Sequence, residues 1–277
     1  MKAYSIPALI IASICLTIAL SDSLAWVRRN KKLSDMAFIL VCLGGAAFCL
    51  CCAGEYNVDF PYQSIPWLKG EVIASTVSGF ALFWFIAERT GLIPRRLLWI
   101  VLGWTVLSVL SQLVDLGDLT WKADRPLVLR VDLPFGLDFL YQEVERGIVL
   151  VVIAASGFLV ELYLVTVLVR FWRRGNRREA QVLFAAIGFI VLAQVLDFFI
   201  GIGLLSFVFL LEYAFLATIL VVGLNRSNDF IEAAVTRKEL AKTDEELKVS
   251  RTTLATIIDS TNDPIWSVDA DSWRLLT

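Results

Sequence analysis

The 277-residue sequence contains no histidine. Within these residues that absence excludes a phosphoaccepting histidine, imidazole-held haem, zinc or copper, and a Ser-His-Asp hydrolase. No lysine falls between Lys122 and Lys238, so a retinal bound to a late-helix lysine is excluded as well. A channel stays open as a reading, although no filter-like segment is present, and no internal repeat or interrupted helix suggests a transporter. Charged residues make up 19% of the chain and the net charge is −2. That balance carries no signal for nucleic acid, and no nucleic-acid partner is expected. The five cysteines, Cys15, Cys42, Cys49, Cys51 and Cys52, all lie in the first two apolar stretches. A soft-metal site at Cys49-x-Cys51-Cys52 would suit copper(I) or zinc, but no histidine can complete it. The cysteines read as small apolar residues, and no metal or other cofactor is expected in this chain.

What is abundant is apolar sequence: 58% of residues are hydrophobic and the mean hydropathy is +0.72. A soluble chain is about 45–50% apolar. A membrane crossing needs ~20 mostly apolar residues, and seven segments qualify, at about 6–27, 36–53, 68–87, 97–114, 148–169, 180–200 and 204–223. One helix over 180–223 would be ~66 Å long, twice what a bilayer accommodates. A turn is therefore expected at Gly201-Ile202-Gly203. Basic residues cluster in alternate loops, at Arg28, Arg29, Lys31 and Lys32, at Arg89, Arg95 and Arg96, and at Arg170, Arg173, Arg174, Arg177 and Arg178. The positive-inside bias then puts the N-terminus outside and the C-terminus in the cytoplasm. Trp26, Trp84, Trp99 and Trp172 fall near the cytoplasmic ends, and Trp67 and Trp121 at the outer side. Cleavage of the first span as a signal peptide is disfavoured by the basic residues that follow it.

Ionisable and amide side chains inside spans cost several kcal/mol unless paired or hydrated. Glu71, Gln112, Asp115, Gln194, Asp197 and Glu212 are placed in the outer half of the bundle at 1.5 Å per residue, with Glu161 deeper. With Trp67 and Trp121 they form the candidate ligand-binding set. Two readings stay open. One is a site for a cationic or polyhydroxylated small molecule, or for protons. The other is interhelical hydrogen-bond glue. The outer loop over 116–146 contains Trp121, Arg125, Arg130, Asp132 and Asp138. It is expected to be a partly structured lid, with a short strand at 128–133 and a turn at Pro134-Phe135-Gly136.

After 223 the chain turns polar and lacks glycine and proline as far as 256. Leu240, Leu247 and Leu254 recur every seven residues, with Ile258 four further on. That spacing is a short heptad seam, and a parallel homodimer through this signalling helix is expected. The run Ile257-Ile258-Asp259-Ser260-Thr261-Asn262-Asp263-Pro264-Ile265-Trp266-Ser267-Val268-Asp269-Ala270-Asp271 then resembles the opening of a PAS domain, and Trp266-Ser267-Val268-Asp269 followed by Leu275-Leu276-Thr277 is similar to the variant of bacterial PAS-containing sensor kinases. A PAS fold needs on the order of 100 residues, so the chain is expected to be a piece of a longer protein.

Seven spans, a signalling helix and PAS together resemble the seven-helix sensory modules of bacterial histidine kinases and diguanylate cyclases. Glu55-Tyr56-Asn57, Trp67-Leu68-Lys69-Gly70-Glu71 and Ala87-Glu88-Arg89-Thr90-Gly91 look like that group's loop punctuation. The expected fold class is an all-α membrane protein: a seven-transmembrane-helix bundle over 1–223, a cytoplasmic coiled-coil signalling helix over 224–256 and the truncated start of an α/β PAS domain over 257–277. The resemblance implies a receptor module of the bacterial inner membrane. Its output would be a histidine kinase beyond this chain, with a response regulator as partner of the full-length protein. A diguanylate cyclase and a PAS-regulated transport or lipid-handling protein are the alternatives. No catalytic residues are expected within the chain itself.

Overall fold

The computed structural model describes residues 2, 5–28, 32–114, 116–133, 137–202, 204–205, 207–260, 267–268 and 275–276. The chain divides into two compact units, Met1–Asn225 and Arg226–Thr277. In the first, helices α1 (Ile6–Arg28), α2 (Leu33–Tyr56), α3 (Pro61–Thr90) and α4 (Arg95–Leu113) precede strands β1 (Trp121–Leu133) and β2 (Leu137–Arg146). Helices α5 (Ile148–Arg173) and α6 (Arg177–Gly201) follow, and α7 (Leu211–Ser260) begins in this unit. Six of these helices, α1 to α6, are long and apolar enough to cross a membrane.

The expected spans locate α1 to α6, but the helices outrun the apolar segments that mark them. Helix α3 starts at Pro61, seven residues before the expected limit of 68. A proline is tolerated in the first turn because its missing N–H has no intrahelical partner there. Helix α2 runs on through Glu55 and Tyr56, so both belong to its last turn and not to a loop.

Helix α2 is the most enclosed. Phe38 packs on Phe85 of α3 with ring centroids 5.8 Å apart, and Phe48 on Phe215 of α7 at 5.1 Å. The α2–α3 approach is close: a Cβ on Gly44 would lie 2.7 Å from the Ser78 side chain. Ser78 donates to the Val41 carbonyl across the same interface at 3.2 Å. Small residues and short polar ties of this kind hold helices together where lipid removes the hydrophobic difference. Helices α4 and α5 bury little and present apolar side chains such as Trp99, Leu113 and Leu159 outward.

The membrane region is all-helical, as expected. Two finer expectations are corrected. The connection over 116–146 holds more than a short strand: 121–146 folds as an antiparallel hairpin whose register runs from Trp121 opposite Arg146 to Leu133 opposite Leu137. The strand expected at 128–133 is the far half of a longer one. A register shift between Lys122 and Pro126 absorbs the residues that break the alternation. The expected turn at 134–136 lies outside the described residues. The other correction is the span expected over 204–223. Helix α6 ends at Gly201, as the expected turn requires, but α7 starts only at Leu211. Among residues 204–210 the described ones are not helical. The reason is the Asp197 side chain of α6, which accepts from the Leu210 and Leu211 N–H groups.

In the second unit, α7 carries Leu240, Leu247 and Leu254, all exposed. Lys242–Glu246 and Lys248–Asp244 pairs line its surface at 3.8 and 2.9 Å, each worth a few tenths of a kcal/mol. The Ile258 side chain is outside the described residues. Strands β3 (Ser267–Val268) and β4 (Leu275–Leu276) pair antiparallel, Ser267 opposite Leu276 and Val268 opposite Leu275. The remainder of the PAS-like stretch lies outside the described residues.

The hairpin joins α5 at Gly147, whose N–H donates to the Thr120 carbonyl at 2.7 Å. A Cβ there would collide with the Leu119 carbonyl oxygen. Gly147→Ala is expected to lower the unfolding midpoint of the detergent-purified chain, by overpacking worth roughly 1–3 kcal/mol. An unchanged midpoint would show that this crossing is not fixed.

Candidate functional site

One end of the bundle is built by the last turn of α2, the start of α3, the ends of α4 and α6, the start of α7 and the hairpin. Alternation along β2 puts Tyr141 and Glu143 on one face of the strand, and both are buried. Tyr141 meets Tyr56 of α2 edge-on at 5.5 Å and Phe209 at 4.9 Å. Its hydroxyl also bonds the Phe209 backbone, and burial pushes its phenol well above the ordinary tyrosine range. Trp121, at the base of β1, packs with Leu68, Val144 and Leu150. Its indole N–H donates to Gln112 Oε1 of α4 at 3.1 Å.

Around the docked hairpin lies a set of carboxyl groups. Glu55 of α2 and Glu71 of α3 are hydrogen-bonded to each other, and Glu143 and Arg146 of β2 lie within electrostatic range of both. Arg146 Nη2 pairs with Glu143 Oε2 at 3.4 Å. Glu212 of α7 bonds the hydroxyls of Tyr213 and Tyr56, with Asp197 as a charged neighbour. Glu55, Glu143 and Glu212 are each at most 5% exposed. Among the described residues, Glu55 Oε1, Glu71 Oε1 and Glu212 Oε2 are buried without a hydrogen-bond partner, as are Ser108 Oγ, Glu161 Oε2 and Glu179 Oε1 elsewhere. Buried acceptors are nearly always matched in folded proteins, so each of these oxygens has capacity to accept from a further donor.

Asp197 has a separate task. Its two carboxylate oxygens accept from the backbone N–H groups of Leu210 and Leu211, at 2.7 and 3.0 Å. These are leading amides of α7, which have no intrahelical acceptor. A side chain of α6 thus caps α7 and fixes where it begins, which is why 204–210 does not continue the helix. Glu161 and Gln194 form another pair, with Gln194 Nε2 donating to Glu161 Oε1 at 2.8 Å between α5 and α6.

The expected set therefore divides. Glu71, Asp197 and Glu212 join one cluster. Gln112 and Trp121 pin the hairpin to α4, and Glu161 with Gln194 ties α5 to α6. Trp67 is half-exposed on α3, its ring over Gly54 of α2. Asp115 lies outside the described residues. Glu55, Tyr56, Tyr141, Glu143 and Arg146 were not foreseen. Tyr141 and Glu143, two apart in a run ending at Arg146, were the available signal for a buried strand face. Cys49 and Cys52 are three apart on one face of α2 and buried, while Cys51 points toward Gly70 of α3, so the three do not face a common point.

At the exposed base of the hairpin, Lys122 bonds Glu145, and Arg125 Nη1 reaches it at 3.2 Å. The Lys122 ammonium first, then the Arg125 guanidinium, hold this carboxyl below its ordinary value of 4.5. A depressed folded value means that the tie is present at neutral pH and is lost as pH falls through the acid range.

Asp197→Ala is expected to speed deuterium exchange at amides 210 and 211 by on the order of tenfold, the scale of a lost helix cap. Asp197→Asn, which keeps one acceptor, should lie between. Unchanged protection in the alanine variant would show that the cap does not set the start of α7.

The family model described as the N-terminal 7TM region of histidine kinase matches residues 8–226. No curated protein matches the chain.

Proposed function

The chain belongs to the family of N-terminal 7TM regions of histidine kinases, a multi-pass membrane sensor module, and we propose that its stimulus acts at the carboxyl cluster beneath the β1–β2 hairpin. The observation that carries this reading is the set of buried, unmatched oxygens of Glu55, Glu71 and Glu212, next to the carboxylate that starts α7. A small cationic ligand entering there would alter the Asp197 and Glu212 contacts and so the placement of α7. Binding shifts an equilibrium only when the two states differ in affinity for the ligand, and the first turn of α7 supplies such a difference. In this reading the start of α7 completes a seventh crossing. The bundle sits in a bacterial inner membrane with its N-terminus and hairpin outside, supported by the alternate basic turns. Helix α7 relays the change to a parallel homodimer seam at Leu240, Leu247 and Leu254, to a PAS domain opening near 257, and to a kinase domain that phosphorylates a response regulator.

The test uses the full-length kinase in proteoliposomes. Glu55→Gln and Glu212→Gln are expected to change autophosphorylation several-fold, while Glu88→Gln, an exposed carboxyl that accepts from Trp84 near the other end of α3, leaves it near the parental level. The purified chain should also gain thermal stability with sodium, putrescine or choline, in proportion to occupancy of the folded state. Parental activity in both cluster variants would reduce the carboxyl groups to packing contacts.

A further inference from the structure

We propose that the α5–α6 turn binds the phosphate groups of anionic phospholipids through Arg170, Arg173, Arg174 and Arg177. The turn is tight. Helix α5 ends at Arg173 and α6 begins at Arg177, and Gly175 takes a left-handed φ of 98° that a side chain would disfavour. Its N–H donates to the Trp172 carbonyl at 3.0 Å. The reversal brings the last turn of one helix beside the first turn of the next, so the four arginines share one end of the helix pair.

All four are exposed, and none forms an ion pair among the described residues. The acidic side chain nearest in sequence, Glu179, is engaged elsewhere: Arg89 Nε at the end of α3 lies 3.2 Å from it. The charge of these four arginines is therefore not neutralised by an ion pair among the described residues. Helix stability does not account for it either. Arg170 and Arg173 complement the negative end of α5, but Arg177 stands at the positive end of α6, where a cation opposes the helix dipole. Each of these positions carries guanidinium, the group that meets a phosphate with two parallel hydrogen bonds, where lysine would offer a point charge.

The apolar surface that runs from the turn along both helices selects a lipid over a soluble phosphate. Val169, next to Arg170, is exposed, as are Leu159 and Leu162 on α5 and Phe189 and Leu192 on α6. An arginine cluster above an outward apolar face matches a molecule with an anionic head and hydrocarbon tails. Trp172 at the boundary packs edge-on against Phe184 at 6.2 Å, the interfacial position that indole favours.

The experiment is native mass spectrometry of the chain released from detergent with phosphatidylglycerol or phosphatidylcholine. The parental chain should retain phosphatidylglycerol preferentially. R173Q/R174Q/R177Q should lose that preference by roughly fivefold per arginine. R95Q/R96Q, at the α3–α4 turn, should keep it. The triple lysine variant, which keeps charge and serves as the folding control, should fall between. An unchanged preference in the triple glutamine variant, or an equal loss in R95Q/R96Q, overturns the assignment. So does displacement of the lipid by millimolar inorganic phosphate, which would make the ligand a soluble anion. Parental retention in the lysine variant would remove the guanidinium recognition.

Discussion

Two backbone amides at the start of α7 meet one carboxylate from α6, at 2.7 and 3.0 Å. Much of the arrangement at this end depends on that contact. Residues 204–210 are apolar enough to extend a helix, and without an external acceptor the chain would gain by doing so. Asp197 offers the Leu210 and Leu211 N–H groups an acceptor that helix extension would compete for. The helix begins where the side chain of its predecessor dictates, and the short segment before it is left for the hairpin, whose Tyr141 hydroxyl bonds the Phe209 backbone. Two elements distant in sequence thus fix the same few residues. In a low-dielectric setting a contact of this kind cannot be traded for water, so its alternatives are discrete.

The carboxyl cluster has the opposite character. Asp197 has its acceptors matched, whereas Glu55, Glu71 and Glu212 each keep a buried oxygen without a partner among the described residues. The hairpin brings Glu143 into the same neighbourhood, with Arg146 as its counter-charge at 3.4 Å. Natural proteins keep imperfectly satisfied polar groups mainly where something is bound or moved. A fully matched cap beside an undermatched cluster is a physical basis for coupling, because a group added to the cluster changes the surroundings of the cap without having to break it first.

Long apolar runs made α1 to α6 legible in the sequence, since a crossing leaves few other ways to bury the backbone. Their ends were less legible. The first turns of α3 and the last turn of α2 are amphipathic or proline-containing, and apolar length does not report on them. Only 128–133 announced the hairpin, because Asp124 and Pro126 break the alternation of β1. Glu71, Asp197 and Glu212 stood out as charges within apolar sequence. Glu55, Glu143 and Arg146 did not, since each lies just past an apolar limit and becomes part of the cluster only when the hairpin docks. Gln112 and Trp121 were visible singly, but their bond was not, because nothing in a sequence states which polar group will face which. The delayed start of α7 was hidden for the same reason.

The five cysteines of the chain lie in α1 and α2, and four of them are buried in the bundle. Thiol chemistry applied to the folded protein therefore meets little native competition outside Cys51. A cysteine engineered on the hairpin or along α7 would be the accessible nucleophile without prior removal of the packed sulfurs. Spin labels, fluorophores or cross-linkers can be placed on those elements while Gly44, Ser78 and the surrounding α2 contacts keep their native packing.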